Sequence, residues 1–216
     1  MKLKIDLHVH SKYSKDGVEN ISDIIYQAKK KGLDGIALTD HNTMEGLIEA
    51  KKEGSKNDIL VISGCEIKSI SGDILAYGVT NVIKKKMSVK NTIDAIHKQG
   101  GVAVAAHPYP EITHRTKMYK FLDFDFDAIE TANGRSILRN KKAKKIATKL
   151  KRSQTGGSDA HGKFEIGNAY TEIEVTEKTE KDVILAIKNG NNESILVKNT
   201  SIYSFFYHVI KLFLKK

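Results

Sequence analysis

Two histidines one residue apart, His8 and His10, lie in the run Ile5-Asp6-Leu7-His8-Val9-His10-Ser11 near the start of the chain. Around them Leu3, Ile5, Leu7 and Val9 are apolar and alternate with polar positions, the period of a β-strand. On that reading Asp6, His8 and His10 share the opposite face, where two imidazoles can grip one metal ion. Taken alone, the pair fits a surface strand with two titrating histidines equally well. What favours a metal is the recurrence of the same residue types downstream. Asp40-His41, Glu66 and His107 end later apolar runs, Asp16 lies in the loop after the first, and Asp159 and His161 follow a Gly-Gly-Ser turn. Histidines and carboxylates without a cysteine ligand suit Zn²⁺, Mn²⁺ or Fe²⁺. There are too many of them for one ion, so the count points to two or three.

The elements that must position these residues alternate in type. Ile21 to Lys31 reads as a helix, with Asn20 or Ser22 as cap and Gly32 as stop. Gly35 to Thr39 reads as a strand, Met44 to Lys52 as a helix, and Ile59 to Ser63 as a strand leading into Gly64-Cys65-Glu66. Asp73 to Val79 reads as an extra hairpin strand. Asn91 to Lys98 is a helix, Val102 to Ala106 and Ala128 to Thr131 are strands, and Ile137 to Leu150 is a basic helix. Thr155-Gly156-Gly157-Ser158 is a tight strand end, Ala169 to Val175 a strand, and Glu180 to Asn189 a helix. Alternating β and α units in one domain imply a parallel sheet, open or closed into a barrel. In a parallel barrel the strand carboxyl ends share one face, and every candidate ligand falls at or just beyond such an end.

Composition sets the frame. The 216 residues suffice for one domain with a real core, and 40% hydrophobic against 29% charged residues reads as a globular chain. No apolar run approaches membrane-spanning length and no signal-peptide pattern precedes the first strand. A cytoplasmic protein with no membrane association is the expectation. A single cysteine, Cys65, excludes an internal disulfide framework. The net charge of +10 suits anionic partners. Arginine is scarce, so Arg115, Arg135, Arg139 and Arg152 are each of interest as bidentate phosphate clamps.

The motifs Asp6-Leu7-His8-Val9-His10-Ser11, Asp16-Gly17, Thr39-Asp40-His41, Gly64-Cys65-Glu66, Ala106-His107-Pro108 and Gly157-Ser158-Asp159-Ala160-His161 occur in this order. Together they resemble the polymerase and histidinol phosphatase (PHP) family of metal-dependent phosphoesterases, over roughly residues 3 to 175. The resemblance implies a distorted (β/α)7 TIM-like barrel, which we place over residues 1–199, and the apolar composition of 200–216 reads as a helical tail docked on it. It implies that His8, His10, Glu66 and Asp159 hold a first metal. Glu66 would bridge to a second metal shared with His107, and Asp16, His41 and His161 would hold a third. Many relatives carry a histidine where Asp16 stands. Asp16-Gly17 resembles the branch that acts on nucleotides. Many also carry one more histidine after the fifth strand. Here Glu130-Thr131-Ala132-Asn133-Gly134-Arg135 has none, so the second metal has fewer protein ligands and would be completed by Asn133, water or substrate, or be absent.

The implied chemistry is hydrolysis of a phosphate ester of a nucleotide or short nucleic acid by a metal-bridged hydroxide, with Glu66, Asp159, His107 and Arg135 as the catalytic set. The alternatives are a small-metabolite phosphatase, such as one for histidinol phosphate, and a non-catalytic binding module. No stable protein partner is implied. Arg115 and His114 lie in the loop after His107, the latter placed to protonate a leaving group or simply to stand in solvent. His97 reads as a solvated helix residue and His208 as structural. Asp6 and Asp40 adjoin ligands and could orient their imidazoles, or Asp40 could serve only as a loop-start residue. Cys65 should point away from Glu66, into helix packing. The apolar tail helix, Ile202 to Lys216, reads as buried against the barrel, or as an amphipathic helix for a partner or an anionic surface.

Overall fold

The computed structural model describes residues 1–110, 116–136 and 138–215. In chain order its elements are β1 (Lys2–Val9), α1 (Ile21–Lys30), β2 (Gly35–Leu38), α2 (Leu47–Asn57), β3 (Leu60–Lys68), β4 (Asp73–Tyr77), α3 (Val89–Lys98), β5 (Val102–Ala105), β6 (Ala128–Asn133), α4 (Asn140–Lys149), β7 (Ser153–Gly157), β8 (Ala169–Glu174), α5 (Glu180–Asn189), β9 (Asn192–Leu196) and α6 (Ile202–Leu214). The nine strands form one sheet in the order β7-β6-β5-β4-β3-β2-β1-β8-β9. β1, β2 and β3 run parallel, as do β5, β6 and β7. β4 runs antiparallel between β3 and β5, and β8 runs antiparallel to β1.

The sheet curls into a nearly closed barrel. β7 has no ladder with β8, but the Thr171 hydroxyl takes the Gly156 N–H at 2.8 Å and donates to its carbonyl at 2.9 Å. Asn192 donates to the Gln154 carbonyl at 2.6 Å. At the carboxyl end Val9 bridges to Ala160, and His10 N–H reaches the Ala160 carbonyl at 2.9 Å. One apolar cluster draws on most strands: Leu3, Ile5, Leu7, Ala37, Ile62, Leu75, Tyr77, Val104, Ala128 and Ile173. Val183, Ala186 and Ile187 of α5 close it off. Two further clusters lie between the strands and the outer helices.

Local chemistry explains most element ends. α1 buries Ile21, Ile24, Ile25 and Ala28, a single helical stripe, and Gly32 follows at φ 69°. Asn20 occupies the cap position without a side-chain bond. α3 starts earlier than expected, because Ser88 accepts the Asn91 N–H. α2 runs on past Lys52, and Gly54 within it sits so close to Ile59 that a Cβ would lie 2.5 Å from the Ile59 carbonyl. α4 is shorter than expected, and Ile137, its expected first residue, lies outside the described residues. β9 goes unmarked in the sequence because Asn192-Glu193-Ser194-Ile195-Leu196 has neither alternation nor an apolar run.

α6 lies across the carboxyl end of the barrel. It leaves Tyr203, Phe206, Ile210, Phe213 and Leu214 exposed while burying Ser204 and His208. Among the described residues no helix is long and apolar enough to cross a membrane.

Candidate metal centre

Most of the candidate ligands lie on the inward face of a strand or just past its carboxyl end, at the barrel mouth. On β3, Ile62 faces the interior and Cys65 and Ile67 the outer helices, so Glu66 points inward. Cys65 indeed points away, its thiol against the Asp40 carbonyl. On β6 the acid Glu130 shares the inward face with Ala128. His107 and Asp159 follow strand ends at φ 23° and 54°, left-handed backbone that ordinary side chains rarely adopt and that costs on the order of 1–3 kcal/mol. There it turns both side chains into the cluster.

β1 departs from the alternation expected of it. Leu3, Ile5 and Leu7 pack in the interior cluster, but Val9 packs outside against α1. Its register against β2 slips between Asp6 and Val9. The slip turns His8 and His10 inward and leaves Asp6 away from them. Asp6 accepts the backbone N–H groups of Ser158 and Gly167, each at 2.8 Å. Burial first, eased by these bonds, raises its pKa to about 6.

Glu66 is the hub. Its Oε2 lies 3.3 Å from Nε2 of His8, 3.3 Å from Nε2 of His10 and 3.1 Å from Nδ1 of His41, and its Oε1 lies 3.0 Å from Nε2 of His107. Asp159 Oδ1 is 3.6 Å from His8 and 3.4 Å from His10. Asp16 Oδ2 stands 3.4 Å from both His41 and His161. These atoms fall into overlapping groups that could each hold an ion: His8, His10 and Glu66; His10, Asp16, His41 and His161; Glu66, Asp73 and His107; and His8, His107 and Glu130. The donor set fits the metals. Nε2 of His8 and Nε2 of His10 are fully buried with no well-directed hydrogen bond, yet both face carboxylate oxygens. Imidazoles and carboxylates buried face to face need positive charge between them, a metal ion or, in its place, protons on the rings, to offset their desolvation.

Two acids were missed in the sequence. Glu130 accepts from or shares a proton with Nδ1 of His8 at 2.9 Å and takes the His107 N–H at 2.7 Å, so it fixes the His8 ring. Its signal was an acid at an inward position of an apolar strand. Asp73 opens β4 and reached the site only because β4 reverses beside β3. Asp6 and Asp40 do not orient imidazoles. Asp40 instead binds the Ser11 N–H and hydroxyl at 2.6 and 2.7 Å. Asn133 donates to Glu130 and Asp159 and so supports their carboxylates. His97 is half-buried and pairs with Asp127 at 2.8 Å, not solvated. Arg135 lines the cavity, its Nε 3.9 Å from the buried Glu165 carboxylate. His114 and Arg115 lie outside the described residues. The cavity, about 460 Å³, is lined by Asp16, His41, Glu66, Lys68, Asp73, His107, Arg135, Asp159, His161 and His208.

The pattern of the PHP domain matches residues 6–161, and a PHP-associated pattern matches 138–192. The chain belongs to the PHP family. An uncharacterized protein of Methanocaldococcus jannaschii is 38% identical over 141 residues, 61% of this chain and 82% of that one. The fold resembles that of a two-domain protein of Bacteroides vulgatus containing a predicted PHP-like metal-dependent phosphoesterase. Their TM-score is 0.78 at 22% identity, over 91% of this chain and 65% of that one. It also resembles the lesion-specific endonuclease EndoQ of Pyrococcus furiosus, with TM-score 0.67 at 20% identity, over 91% of this chain and 58% of that one. The chain thus spans less than two thirds of either solved protein.

The PHP site has a marked proton balance. Burial works against charge on His10 and His107, but Glu66 and Asp159 outweigh it and raise both to about 9. His8 is raised too, again against burial, by Asp159, Glu130 and Glu66. Burial and the neighbouring His10 lower His161 to about 4. In chelator-stripped protein, then, His10 and His107 carry protons at neutral pH that a metal must displace. The sign follows. Their ion pairs stabilise the stripped fold fully below about 6.5, the unfolded value, and that contribution fades as pH climbs through about 9. Metal affinity runs the other way and rises over the same window. Thermal melts of stripped and Mn²⁺-loaded protein from pH 6.5 to 9.5 should therefore diverge; parallel pH profiles would contradict this balance.

Proposed function

We propose that this chain hydrolyses phosphate esters of nucleotides or short nucleic acids at a centre of two or three divalent ions. His8, His10, Glu66 and Asp159 would hold one. Glu66, His107 and Asp73 would hold a second. Asp16, His41 and His161 would hold a third. The observation that carries the reading is Glu66, one carboxylate within 3.3 Å of four imidazoles in a cavity that also bears Arg135 and Lys68. When bound, ions here would acidify water and neutralise developing charge on a phosphoryl group.

The chain's own residues do the rest. Glu130 and Asn133 hold the His8 ring and the Asp159 carboxylate in place. Arg135 and Lys68 place positive charge on the cavity wall, available to a phosphate's outer oxygens. Arg135 is braced by Glu165, whose Oε2 accepts the His161 and Gly162 N–H groups. The net charge of +10 favours polyanionic substrates. Asp16-Gly17 favours the nucleotide-directed branch over histidinol phosphate. That the related fold of EndoQ serves a lesion-specific endonuclease is in keeping with this choice.

The test is a substrate screen with metal-reconstituted protein. Hydrolysis should vanish on chelation and return with Mn²⁺, Zn²⁺ or Fe²⁺. Mononucleotides, nucleoside bisphosphates or short oligonucleotides should surpass histidinol phosphate in kcat/KM. Arg135→Ala should weaken the more highly phosphorylated substrates most, by about tenfold or more, the worth of a charge-assisted contact. A preference for histidinol phosphate would overturn the substrate assignment. Equal losses on all substrates would remove Arg135 from specificity.

A further inference from the structure

The ligands proposed above differ in how they are held. His8, Glu66 and Asp73 sit on strands, and His10, His107 and Asp159 lie within two residues of a strand end. Asp16 is different: it lies in the loop between β1 and α1, with no strand beneath it. That loop is tight. Gly17 presses so closely on Ser11 that a Cβ would lie 2.1 Å from the Ser11 carbonyl. Its inner tethers hold its ends and Ser14 rather than the backbone of Asp16: the Lys12 N–H reaches the Glu19 carbonyl at 2.8 Å, Ser11 binds Asp40, and the His41 N–H reaches the Ser14 hydroxyl at 3.1 Å. The Ser14 N–H reaches the Ser11 carbonyl at 3.0 Å, the Val18 N–H reaches the His161 carbonyl at 3.1 Å, and the Ser14 hydroxyl reaches Asp16 Oδ1 at 3.0 Å.

Its outer carbonyls are taken by α6 and by Lys215, the residue that caps it. His208 Nε2 bonds the Asp16 carbonyl at 2.7 Å, and Lys215 Nζ bonds the carbonyls of Ser14 and Gly17, both at 2.6 Å. The same helix holds the second loop of this subsite. Tyr207 packs edge-on against Phe164 with ring centres 4.8 Å apart, Tyr203 lies 5.6 Å from the same ring, and His208 stacks obliquely 5.3 Å from His161. One helix therefore spans both loops whose side chains, Asp16 and His161, face each other across 3.4 Å. α6 also lies beyond the segments matched by either family pattern, which end at residues 161 and 192.

We propose that α6 is a clamp that builds the third metal subsite, with His208 and Lys215 as its positioning residues. The inference rests on the metal-centre reading given above. Fixing three carbonyls of the loop aims Asp16 Oδ2 between His41 and His161. Releasing them lets the loop relax into solvent while the strand-borne ligands stay put. The clamp is thus selective: it governs one ion, not the whole centre.

The test measures metal content and affinity in the full chain, reconstituted with Mn²⁺ or Co²⁺, by elemental analysis, competition titration and the Co²⁺ absorption spectrum. Asp16→Asn marks the subsite directly and should lose one equivalent relative to the unmodified chain. The His208→Ala, Lys215→Met double variant should weaken that same equivalent by about tenfold to a hundredfold, the usual effect of removing a ligand's supporting partner. The other equivalents and the far-UV circular dichroism should stay unchanged. His208→Gln alone retains an N–H donor for the Asp16 carbonyl and should bind as the unmodified chain does. If Asp16→Asn lowers metal binding but the double variant does not, the clamp is overturned and the metal reading stands. If Asp16→Asn changes nothing, no ion sits there, the clamp falls and the centre holds two ions; if the unmodified chain takes up no metal at all, the metal-centre reading itself falls.

Discussion

Glu66→Gln should reduce phosphate ester hydrolysis by about three orders of magnitude or more, on the scale of losing a preorganised charge at a reacting centre. Gln keeps the shape of Glu66 but removes its negative charge and puts an amide among the imidazoles of His8, His10, His41 and His107. Burial disfavours the Glu66 anion, yet His41, His8 and the other imidazoles hold its pKa well below the ordinary carboxylate range. The site is therefore built around that charge. Without it the ligand groups around Glu66 lose their common member. The substitution adds no bulk, so the fold should persist. The checks are kcat on the best substrate of the screen and the rise in melting temperature on adding Mn²⁺. A variant with undiminished turnover and an unchanged Mn²⁺ response would remove Glu66 from the centre of the mechanism.

The second large effect is on stability. At Gly157 a Cβ would lie 2.4 Å from the His8 Cβ and 2.5 Å from the His8 nitrogen. Neither atom belongs to a flexible side-chain end, and β1 is anchored on both edges, so one of the two strands must move. Gly157→Ala should cost about 3 kcal/mol or more, at or above the top of the range for overpacking. In a chain of this size that lowers Tm by roughly 6–12 °C. It should also displace His8 and weaken metal binding. Gly190→Ala is the contrast: nothing lies within 4 Å of its Cβ, and its only strain is a φ of 75°. That should cost about 1 kcal/mol. Thermal melts of the two variants check this. Equal midpoints would mean that β7 does not close against β1.

The difference between these glycines bears on what could be read from residues alone. Gly156-Gly157 read as a tight strand end, which it is. That Gly157 must be glycine because His8 lies against it needs the barrel closed, and closure brings together residues about 150 positions apart. Glu130 was visible as an acid in an apolar strand, but of its partners His107 follows the neighbouring β5 while His8 lies on β1, five strands away in the sheet order. Asp73 could not be read as a site residue, because only the reversal of β4 carries it beside Glu66 and His107. The hydrogen bond between His208 and the Asp16 loop spans 192 residues, and no local pattern announces it.

By itself the sequence determined the family, the order of the strands and helices through Leu196 apart from β9, and the ligands His8, His10, Asp16, His41, Glu66, His107, Asp159 and His161 as candidates. It could do so because ligand chemistry depends on residue type, and hydrophobic period marks where strands end. The tertiary structure decided which way those residues point. Strict alternation along β1 would have put His8 and His10 on the outer face with Asp6. The register slip between Asp6 and Val9 turns them inward, and the left-handed backbone at His107 and Asp159 does the same at two other strand ends. Those conformations are locally unfavourable, so no local propensity encodes them. They persist because closing the barrel packs Leu7 inside and Val9 outside, and only a slipped strand satisfies both.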